Sequence, residues 1–354
     1  MQFIKKHWQV IVTGLVVGLV AVALTALGNP KNMGICTACF LRDTVGGLGL
    51  HRAEVVQYIR PEILGIVLGA LAISLIGKEF APKGGSAPML RFVLGFCVMI
   101  GALMFLGCPL RMVIRIGGGD LNAIIGLVGF ALGIGIGIIF LNKGFSLKRS
   151  YDLPKLEGFV PSAIALGLLA LLLFGAGLLF FSESGPGSLR APIAISLIAG
   201  ALVGILLQRS RLCMVGGIRD VVMFKDAHLL YGFIAMIVAV LIGNLVVGNG
   251  VKFSFADQPI AHADALWNLL GMLLVGFASV LLGGCPLRQL TLAGSGNTDS
   301  GVAVLGMAVG AAVAHNFKLA SSADGPTAGG RVAVLICLVV VAIIGFANLQ
   351  KQKD

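Results

Sequence analysis

Ten predominantly apolar runs, at about 8–28, 61–77, 88–107, 121–141, 160–181, 190–208, 229–248, 265–283, 300–317 and 331–349, occupy most of this chain of 354 residues. Each is close to the roughly 20 residues that a helix needs to cross a hydrocarbon core of about 30 Å. Lipid offers backbone N–H and C=O groups no partner, so runs of this kind are helices. With 58% hydrophobic and 12% charged residues, little polar sequence remains to coat a water-soluble core. The expected fold is therefore an all-α integral membrane protein. Glycine supplies 51 residues, some as Gly14-x-x-x-Gly18, Gly65-x-x-x-Gly69 and Gly133-x-x-x-Gly137, a spacing that lets helix backbones approach in lipid.

Two of these runs stop at the same five residues, Gly107-Cys108-Pro109-Leu110-Arg111 and Gly284-Cys285-Pro286-Leu287-Arg288. Glycine favours the end of a helix, and proline disfavours α conformation in the residue before it. Proline also suits the first position of a new helix. Cys108 is thus expected at the N-cap of a short helix from Pro109 to about Ile116, ended by Gly117-Gly118-Gly119. At 1.5 Å per residue this re-entrant half-helix is about 12 Å long. It presents free N–H groups and a positive dipole end at membrane depth, beside a thiol and a guanidinium. A kinked junction with an inert thiol would explain one copy. Two copies, each with a charge that lipid penalises by about 2.5 kcal/mol or more, point to anion handling.

Shifting the sequence on itself by 177 residues brings these motifs into register without a gap. The same shift places Arg42-Asp43 on Arg219-Asp220, Cys36 on Cys213, and Gly117 and Gly119 on Gly294 and Gly296. Polar motifs in register indicate a duplication. Five spans per copy is an odd number, so the copies should be inverted in the membrane. Leaving aside the motif-bearing turns, eleven Lys/Arg fall on the expected inner side, among them Lys5, Lys148, Lys351 and Lys353, against four on the outer. This bias places both termini in the cytoplasm. The polar stretch 146–158 reads as a cytoplasmic linker between a first repeat at 1–145 and a second at 159–354. The first apolar run is longer than a signal-peptide core and has no small-residue cleavage site before Gly28-Asn29-Pro30, so it is expected to be a retained span.

The seven cysteines lie mostly in or beside apolar runs, which argues against a secreted disulfide framework. A second repeated element contains Cys36-Thr37-Ala38-Cys39-Phe40-Leu41-Arg42-Asp43 and Arg211-Leu212-Cys213-Met214-Val215-Gly216-Gly217-Ile218-Arg219-Asp220. Its Arg-Asp pairs either brace the turn or shape a permeation route. Cys36, Cys39 and Cys108 then approach from the outer face, and Cys213 and Cys285 from the inner. Thiols of this kind suit a soft, sulfur-like anion. Cys97 and Cys337, unmatched at the offset, read as packing residues, and Met214 and Met223 as gap-fillers. The five histidines show no ligand spacing, so no metal site is expected. No nucleotide fingerprint suggests ATP hydrolysis or a cofactor. The net charge of +11 is dispersed between spans, which excludes nucleic acid as a partner.

Together the paired Gly-Cys-Pro-Leu-Arg motifs and the two Cys-to-Arg-Asp elements resemble the YeeE/YedE family of bacterial inner-membrane sulfur transporters, most of all its YedE branch, associated with selenium. The resemblance covers essentially the whole chain. It implies uptake of a small sulfur anion such as thiosulfate, or a selenium analogue, through an inverted-repeat fold with Cys36, Cys108, Cys213 and Cys285 along the path. Cys39, Arg42, Asp43, Pro109, Arg111, Arg219, Asp220, Pro286 and Arg288 would support it. Expected partners are the bilayer, the anion and a cytoplasmic sulfur- or selenium-carrier protein. The rivals are a membrane thiol-redox enzyme built on Cys36-x-x-Cys39 and a sulfurtransferase using the same thiols.

Overall fold

The structure, a computed structural model, describes residues 2–248 and 250–350, with side chains from residue 6 onward. Lys5, as a side chain, and Lys351 and Lys353, counted above as inner charges, lie outside the described residues. Fourteen helices run in order among those described: α1 (Gln2–Ala26), α2 (Thr37–Gly47), α3 (Pro61–Ile76), α4 (Pro88–Phe105), α5 (Pro109–Gly117), α6 (Leu121–Asn142), α7 (Lys155–Phe174), α8 (Ile193–Ser210), α9 (Met214–Phe224), α10 (His228–Val247), α11 (Ala265–Leu282), α12 (Pro286–Gly294), α13 (Thr298–Asn316) and α14 (Ala328–Ala347). Ten stretches among them are long and apolar enough to cross a membrane. The seventh helix starts five residues before the expected 160 and stops at Phe174, because Gly175 caps its end although the apolar run continues to 181.

Adding 177 to the bounds of α2, α4 and α5 returns those of α9, α11 and α12, and the start of α6 returns that of α13. The packing carries a matching exchange. Helix α1 lies on α10 and α3 on α8; α4 lies on α13 and α6 on α11; α4 and α11 meet each other. Swapping α1–α6 for α8–α13 exchanges the first two pairings with each other and the next two likewise, and returns α4–α11 to itself. Helices α7 and α14 do not obey it, since α7 lies against α3, α12 and α13 while α14 lies against α4 and α11.

Glycine permits the close pairings. A Cβ at Gly14 would meet the carbonyl of Gly232, and one at Gly69 the carbonyl of Ala201, so backbones touch where lipid supplies no hydrophobic drive between helices.

The connecting segments sort onto two faces. On one, the strand Lys83–Gly84 pairs with Tyr151–Asp152, Lys83 also bridges to Asn297, and Phe145 bridges to Leu349. On the other, Asp120 bridges to Ser254, Asn29 accepts the N–H of Ala191, and Asn316 donates to the carbonyl of Leu50. The first face carries the polar stretch 146–158 and is called inner below, the second outer.

Candidate functional site

Four short helices, α2, α5, α9 and α12, have nine or eleven residues each and reach about 14–16 Å, half a span. Each begins at a cysteine. Cys36, Cys108, Cys213 and Cys285 are the N-cap residues of α2, α5, α9 and α12, all with extended backbone. Proline at position N1 starts α5 and α12, as the sequence requires. The caps meet in twos: Cys36 Sγ lies 3.7 Å from Cys108 Sγ, and Cys213 Sγ lies 3.7 Å from Cys285 Sγ. All seven cysteines are free and buried. Two helix N-termini therefore face each thiol pair, and their aligned dipoles favour negative charge there.

In the outer site, Cys36 Sγ also accepts the N–H of Cys39 at 3.4 Å, the role a serine plays at an N-cap. The thiol of Cys39 turns to the carbonyl of Leu106 and to Arg111 Nη1, 3.3 Å away. Arg111 is fully buried and its guanidinium is strapped in place. Nε donates to Asn32 O at 2.9 Å, Nη2 to Ile260 O at 2.8 Å, and Nη1 to Leu106 O. Leu106 presents that carbonyl because it ends α4 in left-handed conformation, φ 61°. A side chain with a Cβ is strained there, as Gly283, its counterpart at φ 92°, is not.

Arg42 and Asp43 form a buried ion pair at 2.6 Å, and Arg60 donates to the second oxygen of Asp43 at 2.8 Å. Arg60 also holds the carbonyls of Pro186 and Leu189 and lies over the Phe40 ring. Arg115 pairs with Asp120 at 2.7 Å, both with no exposure, tying the end of α5 to the N-cap of α6. Reasoning from the sequence missed Arg60, Arg115 and Asp120. An arginine just before Pro61, and an aspartate just before an apolar run, were the available signals.

The inner site is more open. Arg219 and Asp220 pair at 2.8 Å but are 29% and 20% exposed. All of α2 is buried, whereas only Met214–Gly217 of α9 is. Neither Arg111 nor Arg288 has an acidic partner among the described residues. Arg288 Nη1 has no hydrogen-bond partner among the described residues.

The remaining cysteines and the histidines make none of the contacts described for the four caps. Cys97 and Cys337, expected to be packing residues, are buried on α4 and α14. Histidines that share no spacing meet as His7 with His228, at 2.7 Å between Nδ1 atoms, and His51 with His315, ring centroids 4.7 Å apart. No group of three or more His, Cys, Asp or Glu among the described residues could hold a metal ion.

Ten long apolar helices interleaved with four half-span helices, whose N-caps are buried cysteines, define an all-α, multi-span membrane protein. The chain belongs to the family described as Sulphur transport, whose family model matches residues 1–108 and 209–351. All four N-cap cysteines fall inside those stretches. Among curated proteins the chain is similar to the thiosulfate transporter TsuA of Escherichia coli (strain K12), 30% identical over 121 residues, 34% of either chain. It is also similar to TsuA of Spirochaeta thermophila, 30% identical over 115 residues, 32% of this chain and 34% of that one. The matched stretches thus span about a third of the length of these relatives.

Proposed function

We propose that this protein takes up a small sulfur anion of the thiosulfate type, or a selenium analogue as the resemblance to the YedE branch suggests, across the bacterial inner membrane. The observation that carries the reading is the pair of thiol pairs, Cys36 with Cys108 and Cys213 with Cys285, each facing two helix N-termini. Fixed dipoles and arginines lower the cost of bringing an anion into low dielectric. Polarisable thiols then give it contacts that do not hold it too tightly to leave.

In this reading the exchange-related halves are inverted repeats, and both termini are cytoplasmic. Five spans in each half place α7 (Lys155–Phe174) in the first, which moves the division from the linker expected at 146–158 to within 175–192 and makes 146–158 a loop inside the first half. The anion passes from the outer pair to the inner pair, where a cytoplasmic carrier protein collects it.

A covalent sulfur relay along the same thiols is the second reading, favoured by the 3.7 Å separations. A redox couple of Cys36 with Cys39 fits less well, because Cys39 Sγ turns to Arg111 and Leu106. Uptake of radiolabelled thiosulfate and of selenium anions into proteoliposomes tests the proposal. Chemical turnover in detergent solution without net uptake would overturn it in favour of an enzyme.

A further inference from the structure

Four acidic side chains are buried among the described residues: Asp43, Glu62, Asp120 and Asp299. Three of them have an arginine: Asp43 pairs with Arg42 and Arg60, Asp120 with Arg115, and Asp299 with Arg91 at 3.6 Å. Glu62, 1% exposed in the first turn of α3, makes no ion pair among the described residues. The charged groups around it are engaged elsewhere. Arg60 is taken up by Asp43 and two carbonyls, Arg42 of α2 pairs with the same Asp43, and Arg190 lies over the Tyr58 ring at 4.9 Å.

What Glu62 does receive is an amide and a hydroxyl. Asn29 Nδ2 donates to Glu62 Oε1 at 2.8 Å, and Ser196 Oγ of α8 donates to the same oxygen at 3.0 Å. Oε2 has no partner. Both donors thus serve one oxygen, the pattern of a carboxylic acid that accepts at its C=O and keeps its hydrogen on the other oxygen. An unpaired buried hydroxyl also costs far less than a buried carboxylate with no cation. The N-terminus of α3 lowers the cost of the ionised form, so the group can give up its proton as well as hold it.

This arrangement stands outside the duplication. At the 177-residue offset Glu62 falls on Ala239, Asn29 on Leu206 and Ser196 on Leu19, all apolar. It is nonetheless joined to a cysteine cap. Asn29, 3% exposed, also donates to Gly34 O at 3.0 Å and accepts the Ala191 N–H at 2.9 Å. Glu62 is thereby tied to the loop that ends at the N-cap Cys36 and whose Asn32 carbonyl holds Arg111. On the outer side, Ala191 lines a cavity of about 550 Å³ together with Tyr58 and Arg190, one hydrogen bond from Asn29.

We propose that Glu62 is a proton-binding site and that the anion is taken up together with a proton from the outer side. This goes beyond the transport reading and rests on it. An anion entering an inside-negative cell moves against the membrane potential, and an accompanying proton cancels one of its charges. Hydronium in the outer cavity gives its proton to Oε2, where one O–H bond forms; on release the same bond breaks and the proton leaves on water at the inner side. Without its proton, the carboxylate is a stronger acceptor and competes with Gly34 O for the Asn29 amide, which loosens the loop that presents Cys36.

The test is accumulation of radiolabelled thiosulfate by the full chain in proteoliposomes with the membrane potential clamped at zero. Making the outside about one pH unit more acid than the inside should raise wild-type accumulation about tenfold for each proton carried. A pH dye inside the vesicles should report acidification as thiosulfate enters. Glu62→Gln keeps an oxygen for Asn29 and Ser196 and puts permanent hydrogens on the other atom, so it should still equilibrate thiosulfate but lose both the gradient gain and the dye signal. If that variant does not purify, reaction of Glu62 with a lipid-soluble carbodiimide, which attacks neutral carboxyls, takes its place: lost accumulation supports the site, and unchanged accumulation after labelling overturns it. Wild-type uptake with neither gradient gain nor acidification, or a Glu62→Gln variant that keeps both, would overturn the proton site and leave the transport reading standing. A wild type that takes up no thiosulfate under either condition would overturn both.

Discussion

The outer and inner thiol pairs share one backbone plan and differ in what surrounds it. Around Cys36 and Cys108, each charge has an ion-pair or carbonyl partner, though Arg115 Nη2 is left unbonded: Asp43 lies between Arg42 and Arg60, Arg115 is held by Asp120, and Arg111 is bound by three carbonyls and a thiol. Around Cys213 and Cys285, the equivalent of the Arg115–Asp120 pair is Leu292 and Asn297, Cys39 is replaced by Gly216, and Arg219–Asp220 is partly exposed. The comparison teaches that the Cys-capped helix end is the repeated structural unit. The charge networks are local reinforcement of the half that is buried and carries a left-handed leucine at its break.

The largest effects are expected where the halves are alike. Cys108→Ala and Cys285→Ala should each abolish uptake in proteoliposomes while the protein still inserts and purifies monodisperse. Losing a small buried thiol costs only about 1 kcal/mol of stability, so folding is not the cause. Wild-type uptake in both variants would reduce the motifs to helix breaks.

Where the halves differ, stability should separate them. Asp43→Asn strips a buried anion from two arginines and should cost about 3–5 kcal/mol, whereas Asp220→Asn, in a partly exposed pair, should cost about 1 kcal/mol or less. Thermal unfolding in detergent measures both, and equal losses would erase the distinction between strapped and open sites.

Asp120→Asn leaves Arg115 as an unpaired buried cation and should also cost about 3–5 kcal/mol. Adding Arg115→Leu reproduces the inner pattern and should restore most of it. A double mutant no more stable than Asp120→Asn alone would show that the two halves need different residues there.

The arginines of the motif should respond differently. Lysine keeps the charge but loses the planar fork, so Arg111→Lys should lower stability by about 2 kcal/mol or more as its strapped bonds go. Arg288→Lys should change stability little and weaken anion affinity first. The smallest effect belongs to Cys39→Ala, which removes a weak sulfur contact and should keep most uptake. A loss as complete as that of Cys36→Ala would revive the redox couple.

Much of this was legible in the sequence because the rules involved act within a turn or a span. Apolar length set the ten crossings, Gly-Cys-Pro fixed both the breaks and the cysteine caps at Cys108 and Cys285, and polar motifs in register marked the corresponding helices. Three things were decided only by tertiary structure. Helices that are apolar nearly all round carry no signal of which face meets which neighbour, so the crossed pairings of α1 with α10 and α3 with α8 could not be read. Cys36 meets Cys108, 72 residues away, rather than pairing with Cys39, because α2 and α5 point their N-termini at one another. The partners of Arg60 and Arg111 include loop carbonyls more than a hundred residues distant. Capping and span length are local free energies written in neighbouring residues, whereas burial and the satisfaction of polar groups are properties of the assembled bundle.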